Sequence, residues 1–158
     1  MQSIADDIQH RISHTKGCYI LIINLPEDIT ATIGRLPTRH FSSGYYAYVG
    51  SAMRGFKARL DHHLRENKRP HWHIDYLLQR ASITSIILCE TEYKFECDIA
   101  QALQHQFDSV PNFGSSDCRC GSHLFSCNSE EKLKSTIVAV TEGLGLQPRL
   151  LEQTSHRL

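Results

Sequence analysis

The run Cys18-Tyr-Ile-Leu-Ile-Ile-Asn-Leu25 constrains this chain more than any other feature. It carries no charge, and both of its alternating faces are apolar, so a strand here must be covered on both sides. Lys16-Gly17 before it and Pro26-Glu27-Asp28 after it are breakers that confine it to strand length. The cover has to come from the rest of the chain. Ser3 is placed to cap a first helix with Ile4, Ile8 and Ile12 as its stripe. Residues 29–36 read as a second strand, 37–44 as a loop, and 45–50 as a third strand ending in Gly50. Helical patterns follow over 55–67 and 71–81, a strand over 83–90 and a helix over 95–107. A turn-rich loop at 110–122 leads to a short strand and a closing helix capped by Ser129, about 129–144. The order β-β-β-α-α-β-α predicts an α+β fold: a small mixed, mainly antiparallel central sheet flanked by helices. At 158 residues the expectation is one domain over 1–158, with a core about 17–127 and a patternless last dozen residues as a mobile tail.

Seventeen basic residues balance seventeen acidic ones, so total charge says little about partners. No segment has the roughly 18 apolar residues of a membrane helix, and the N-terminus lacks the pattern of a signal peptide. The six cysteines are therefore expected to be reduced thiols in a cytoplasmic protein, with no membrane partner. No P-loop or dinucleotide fingerprint occurs.

Four groups of residues can carry chemistry. On the helix after Gly50, Phe56, Leu60 and Leu64 form the apolar stripe, and Arg59 and His63 share one edge of it. Such a pair can point into a cleft, or be a snorkelling arginine and a surface histidine. On the helix 95–107, Glu96 points with Ile99, Ala100, Leu103 and Phe107. A carboxylate on a buried stripe needs a cation, a metal or hydrogen bonds, which fits a metal ligand, a general base or a structural ion pair. Arg54, Lys57, Arg59, Arg65, Lys68 and Arg69, with His62, His63, His71, His73 and Trp72 among them, suit a phosphate-rich ligand or form a solvated basic face. Lastly, Cys118, Cys120, His123 and Cys127 offer three thiols and an imidazole to zinc. Their spacing is not a usual knuckle, and unbound thiols shaping a functional loop are the favoured reading.

"GCY" at 17–19 opening one strand and "YVG" at 48–50 closing another resemble the paired signature of the GIY-YIG nuclease superfamily. "GSAMRGFKARLDHHL" is similar to that superfamily's first helix, and "FECDIAQAL" to its metal-binding element. "GYYAYVGSAM", "HWHIDYLL", "FGSSDCRCGSHLF" and the extra strand between the signatures resemble the DUF123 branch, found alone or fused to endonuclease III-like proteins. The likeness runs from about Gly17 to Cys127.

The resemblance implies a divalent-metal-dependent endonuclease, with DNA as the expected substrate and a repair protein as a candidate partner. It implies Tyr19 as general base or partner of the attacking water and Tyr48 as a positioner of that water. Arg59 would stabilise the phosphate, with His63 and either His73 or His71 as further site histidines. Glu96 would hold one Mg²⁺ or Mn²⁺. Arg54, Lys57, Arg65, Lys68, Arg69 and His71 would guide the nucleic acid. A tyrosine titrates near pH 10 unaided, so Tyr19 needs positive charge nearby, from Arg59, the metal or the histidines. Two rivals use the same residues. One is a non-catalytic nucleic-acid-binding module with Glu96 paired to Arg59; the other is a zinc-dependent interaction domain.

Overall fold

A computed structural model describes residues 3–10 and 15–152. The doubly apolar run is strand β1 (Gly17–Leu25), with all but one of its nine residues buried. It lies inside a six-stranded sheet between β4 (Gly44–Ala52) and β5 (Ser82–Glu90). β7 (Leu124–Cys127) and β6 (Asp108–Ser109) extend the sheet beyond β4, and β8 (Pro148–Glu152) extends it beyond β5. Every pairing is antiparallel, as the mainly antiparallel expectation requires.

The alternation of β1 divides the core in two. Tyr19, Leu21, Ile23 and Leu25 pack with Ile4 and Ile8 of α1 (Ile4–His10), Phe56 and Leu60 of α2 (Phe56–Leu64), and Ile74 and Leu77 of α3 (His73–Leu77). Cys18, Ile20 and Ile22 pack with Ile99 and Leu103 of α4 (Glu96–Gln104) and Leu133 and Ile137 of α5 (Glu130–Gly143). Ser129 caps α5 by accepting the backbone N–H of Lys132. Ile12, expected on the stripe of α1, lies outside the described residues.

Several boundaries differ from the sequence pattern. The second strand stops at Ala31, and 37–44 is not all loop. β2 (Ile29–Ala31) and β3 (Arg39–Phe41) pair as a separate two-stranded ribbon. The helix read over 71–81 is only five residues long. Its apolar pattern continues because Leu78 and Ala81 still pack on the core after the helix ends. α4 ends three residues before Phe107 and α2 three before Asn67, which has a left-handed φ of 55°. The tail expected to be mobile holds β8, whose edge pairing with β5 satisfies backbone groups that hydrophobic patterning does not report.

Among the described residues no helix is long and apolar enough to cross a membrane.

Candidate functional site

Tyr19 of β1 stands directly opposite Gly50 of β4. A Cβ at Gly50 would come within 2.5 Å of the Tyr19 hydroxyl, so the last glycine of "YVG" leaves room for the tyrosine ring. Gly50 lies within β4 and is not the turn residue that its position before the helix suggests. Gly114 makes similar room for the second tyrosine, since its Cβ would fall 2.9 Å from the Tyr48 ring.

The two rings meet α2. Tyr19 is fully buried, and its hydroxyl is 2.6 Å from Nε2 of His63. The Tyr48 ring stands edge-on to His63, with centroids 6.2 Å apart. Burial is the main cause pushing the His63 imidazole down to about 3, so it is neutral at pH 7. Its Nδ1 has no hydrogen-bond partner among the described residues. Nε2 and the Tyr19 hydroxyl thus share one buried hydrogen bond that fixes the two rings against each other. Burial also holds both tyrosines protonated: Tyr19 is raised well above its ordinary value, and Tyr48 is raised too. Arg59 opposes the rise at each, whereas Glu96 adds to it. The expectation that histidine charge lowers Tyr19 is therefore not met by His63; Arg59 is the cation that favours the phenolate.

Arg59 is held from its other side by Trp72, with its guanidinium carbon 4.4 Å from the indole centroid. Arg54, Arg59, Arg65, His62 and Trp72 line one recess of about 370 Å³. The two lysines of the basic stretch are engaged elsewhere. Lys57 pairs with Asp61 at 2.7 Å, and Lys68 donates to the carbonyls of His63 and Arg65, closing the end of α2. Arg69 and His71 are exposed. His73 is tied elsewhere: its Nδ1 accepts the Gly114 N–H at 2.8 Å, and its ring packs edge-on to Phe113.

Asp75 was not singled out by sequence reasoning, yet it organises this wall. Its buried carboxylate accepts from His62 at 2.9 Å and from the backbone N–H groups of His71 and Trp72. Burial pushes Asp75 up, but those hydrogen bonds outweigh it and hold the carboxyl below its usual range. His62 thus braces Trp72, and His63 alone of the adjacent histidines joins the tyrosines. The detectable signal was an aspartate between Ile74 and Leu77, where an amphipathic helix should have a partner for it.

Glu96 opens α4, and its neighbour Phe95 donates its N–H to Cys18 Sγ at 3.3 Å, which seats the helix start on β1. The Glu96 side chain is 27% exposed and faces the His123 imidazole, with Nδ1 3.6 Å from Oε2. The helix N-terminus also favours its negative charge. The same imidazole faces sulfur on its other edge, where Nε2 is 3.5 Å from Cys118 Sγ.

Among the described residues the group able to hold a metal is Cys97, Cys118, Cys120 and His123, with donor atoms within 4.8 Å of one another. Cys127 does not belong to it. It lies opposite Tyr45, whereas the His123 carbonyl binds Val49, so four residues of strand, about 13 Å, separate them. Cys97 takes its place from α4, a contact that spacing along the chain does not announce. Burial raises Cys97 and Cys120 above the usual thiol range. Burial also lowers His123, against the pull of Glu96.

A family model described as a domain of unknown function, DUF123, matches residues 18–146. The chain belongs to the DUF123 family. Comparisons with curated proteins and with solved structures find no match. The DUF123 match spans both walls of the site, from β1 through the loop that carries His123 and on to α5.

Proposed function

We propose that this DUF123 domain is a metal-dependent nuclease of GIY-YIG type that hydrolyses phosphodiester bonds in nucleic acid, with DNA as the first substrate to test. The observation that carries the proposal is the Tyr19–His63 hydrogen bond with Arg59 beside it, at the edge of an arginine-lined recess. Hydrolysis of a phosphodiester needs an oriented water, neutralised charge at phosphorus and a stabilised leaving oxygen.

Arg59 suits the second need. Its planar fork matches a phosphate, and Trp72 and Tyr19 restrict its motion. Tyr19, hydrogen-bonded to His63 and beside Arg59, would set the position of the arginine and of water or a phosphate oxygen next to it. Tyr48, pressed between His63, Phe113 and Gly114, fixes the adjoining wall. Glu96 fits a hard divalent ion: it is a partly exposed carboxylate with no lysine or arginine paired to it among the described residues. Mg²⁺ or Mn²⁺ held there would polarise a phosphate oxygen and stabilise the departing one. Arg54 and Arg65 would attract the backbone of the nucleic acid, with a partner protein adding specificity.

The test is direct. Full-length protein is incubated with plasmid, single-stranded DNA, branched DNA and RNA, in Mg²⁺ or Mn²⁺. Metal-dependent cleavage is expected, falling about 100-fold or more in Glu96→Ala and Tyr19→Phe. Binding without cleavage of any substrate, or cleavage that persists in both variants, would refute it.

A further inference from the structure

We propose that Cys97, Cys118, Cys120 and His123 bind one Zn²⁺ through three thiolates and Nε2 of His123, and that this ion positions Glu96 through the far side of the same imidazole.

The donors come from three separate places. Cys97 is on the first turn of α4, Cys118 and Cys120 lie at the tip of the 110–123 loop, and His123 is at the entrance to β7. Their convergence is therefore a product of the fold, not of adjacent positions in the chain. The dimensions fit. A tetrahedral zinc with Zn–S bonds of about 2.3 Å and a Zn–N bond of about 2.05 Å sets S···N near 3.6 Å and S···S near 3.8 Å. Cys118 Sγ and His123 Nε2 are 3.5 Å apart, and all four donor atoms lie within 4.8 Å of one another. A disulfide would consume two of the thiols and leave a third thiol and the imidazole gathered for no purpose.

The donor chemistry selects the ion. Three thiolates and an imidazole in a closed tetrahedron favour zinc, whereas Mg²⁺ and Mn²⁺ prefer oxygen. Binding releases the three thiol protons to solvent and leaves a site of net charge −1. Zinc needs no redox partner, so nothing further is required for the balance.

The loop supplies a reason for the ion. At its base, Asn112 donates to the Gly121 carbonyl and His123 to that of Phe113. Among the described residues no backbone hydrogen bond ties 115–120 to another element. A loop of this length without secondary structure of its own needs another anchor, and the thiols provide it by joining the tip to α4. The same loop carries Phe113 and Gly114 against Tyr48. With Nε2 on the metal, the imidazole proton must sit on Nδ1, which faces Glu96 at 3.6 Å. A metal-bound histidine that leans on a carboxylate is a common outer-shell arrangement.

The zinc site stands whether or not the domain cleaves nucleic acid; only the meaning of positioning Glu96 rests on the nuclease reading. Untagged full-length protein is assayed by elemental analysis, and Co²⁺ is exchanged for zinc to read its absorption spectrum. One zinc per chain is expected, with thiolate-to-cobalt charge-transfer bands and the strong visible bands of tetrahedral cobalt. Cys127→Ser should keep the metal, and Cys118→Ser should lose it. Glu96→Gln should weaken zinc binding about tenfold, within the range for loss of an outer-shell partner, and shift the cobalt bands. Folded wild-type protein with no zinc and six titratable thiols, or with a disulfide among Cys97, Cys118 and Cys120, would overturn the site. Loss of zinc in Cys127→Ser would overturn the ligand set. Unchanged affinity and spectrum in Glu96→Gln would overturn the link to Glu96 and leave the zinc standing.

Discussion

On the α2 side of the sheet, Tyr19, Tyr48 and His63 form a dry wall in which burial suppresses ionisation of all three. On the α4 side, Cys97, Cys118, Cys120 and His123 form a soft donor set shared between α4 and the 110–123 loop. Glu96 stands between them: it opposes ionisation of both tyrosines and faces His123. The first wall is preorganised by packing, because β-strand register, two glycines and a helix face set its geometry. The second gathers its groups from α4 and the 110–123 loop, where Cys120 is buried and Cys97 and Cys118 pack on the same core. Position within one element thus accounts for one wall, and convergence of separate elements for the other.

Arg59→Ala is the most damaging way to break the first wall. Cleavage should fall about 10²–10³-fold, the cost of losing one preorganised charge-stabilising donor, while the protein stays folded in a thermal melt. Gly50→Ala should come next. Its methyl group would displace the Tyr19 ring, and an overpacked core costs about 1–3 kcal/mol, readable in urea unfolding together with lost cleavage.

His63 separates packing from charge through pH. Its folded pKa of about 3 lies below the ordinary 6.5, so the unfolded chain binds a proton that the folded chain refuses. Its contribution to stability is therefore complete above pH 6.5 and is lost as pH falls toward 3, by at most about 1.4 kcal/mol per pH unit. His63→Gln should flatten that slope in pH-dependent unfolding; an unchanged slope would mean that His63 is not buried neutral. Lys57→Ala should have the smallest effect. Its exposed pair with Asp61 is worth about 0.2–1 kcal/mol, and nucleic-acid affinity should change less than in Arg54→Ala or Arg65→Ala.

The same contrast explains what the sequence could disclose. Arg59 and His63 were legible because they share one edge of a helix stripe, and periodicity reports faces. Glu96 was legible for the same reason, through the stripe of Ile99, Ala100 and Leu103. The two tyrosines were reached only through the likeness of "GCY" and "YVG" to a paired signature. Cys127 was grouped with Cys118 and Cys120 because it is near them in the chain, but strand β7 carries it to the other end of the sheet. Cys97 is twenty-one residues before Cys118 and reaches it only when α4 packs beside the loop. Strand β3, the partner of β2, and edge strand β8 were missed because three- to five-residue strands are too short for alternation to stand out. Asp75 was passed over because its partners, His62 and two backbone N–H groups, are supplied by the fold around it.

Anomalous scattering from one crystal of the full-length protein, grown with Mn²⁺, tests the central claim most directly. The account predicts manganese on the Glu96 carboxylate, on the side that faces Tyr19 and Arg59. Ordered manganese elsewhere, with Glu96 turned away from both residues, would contradict it.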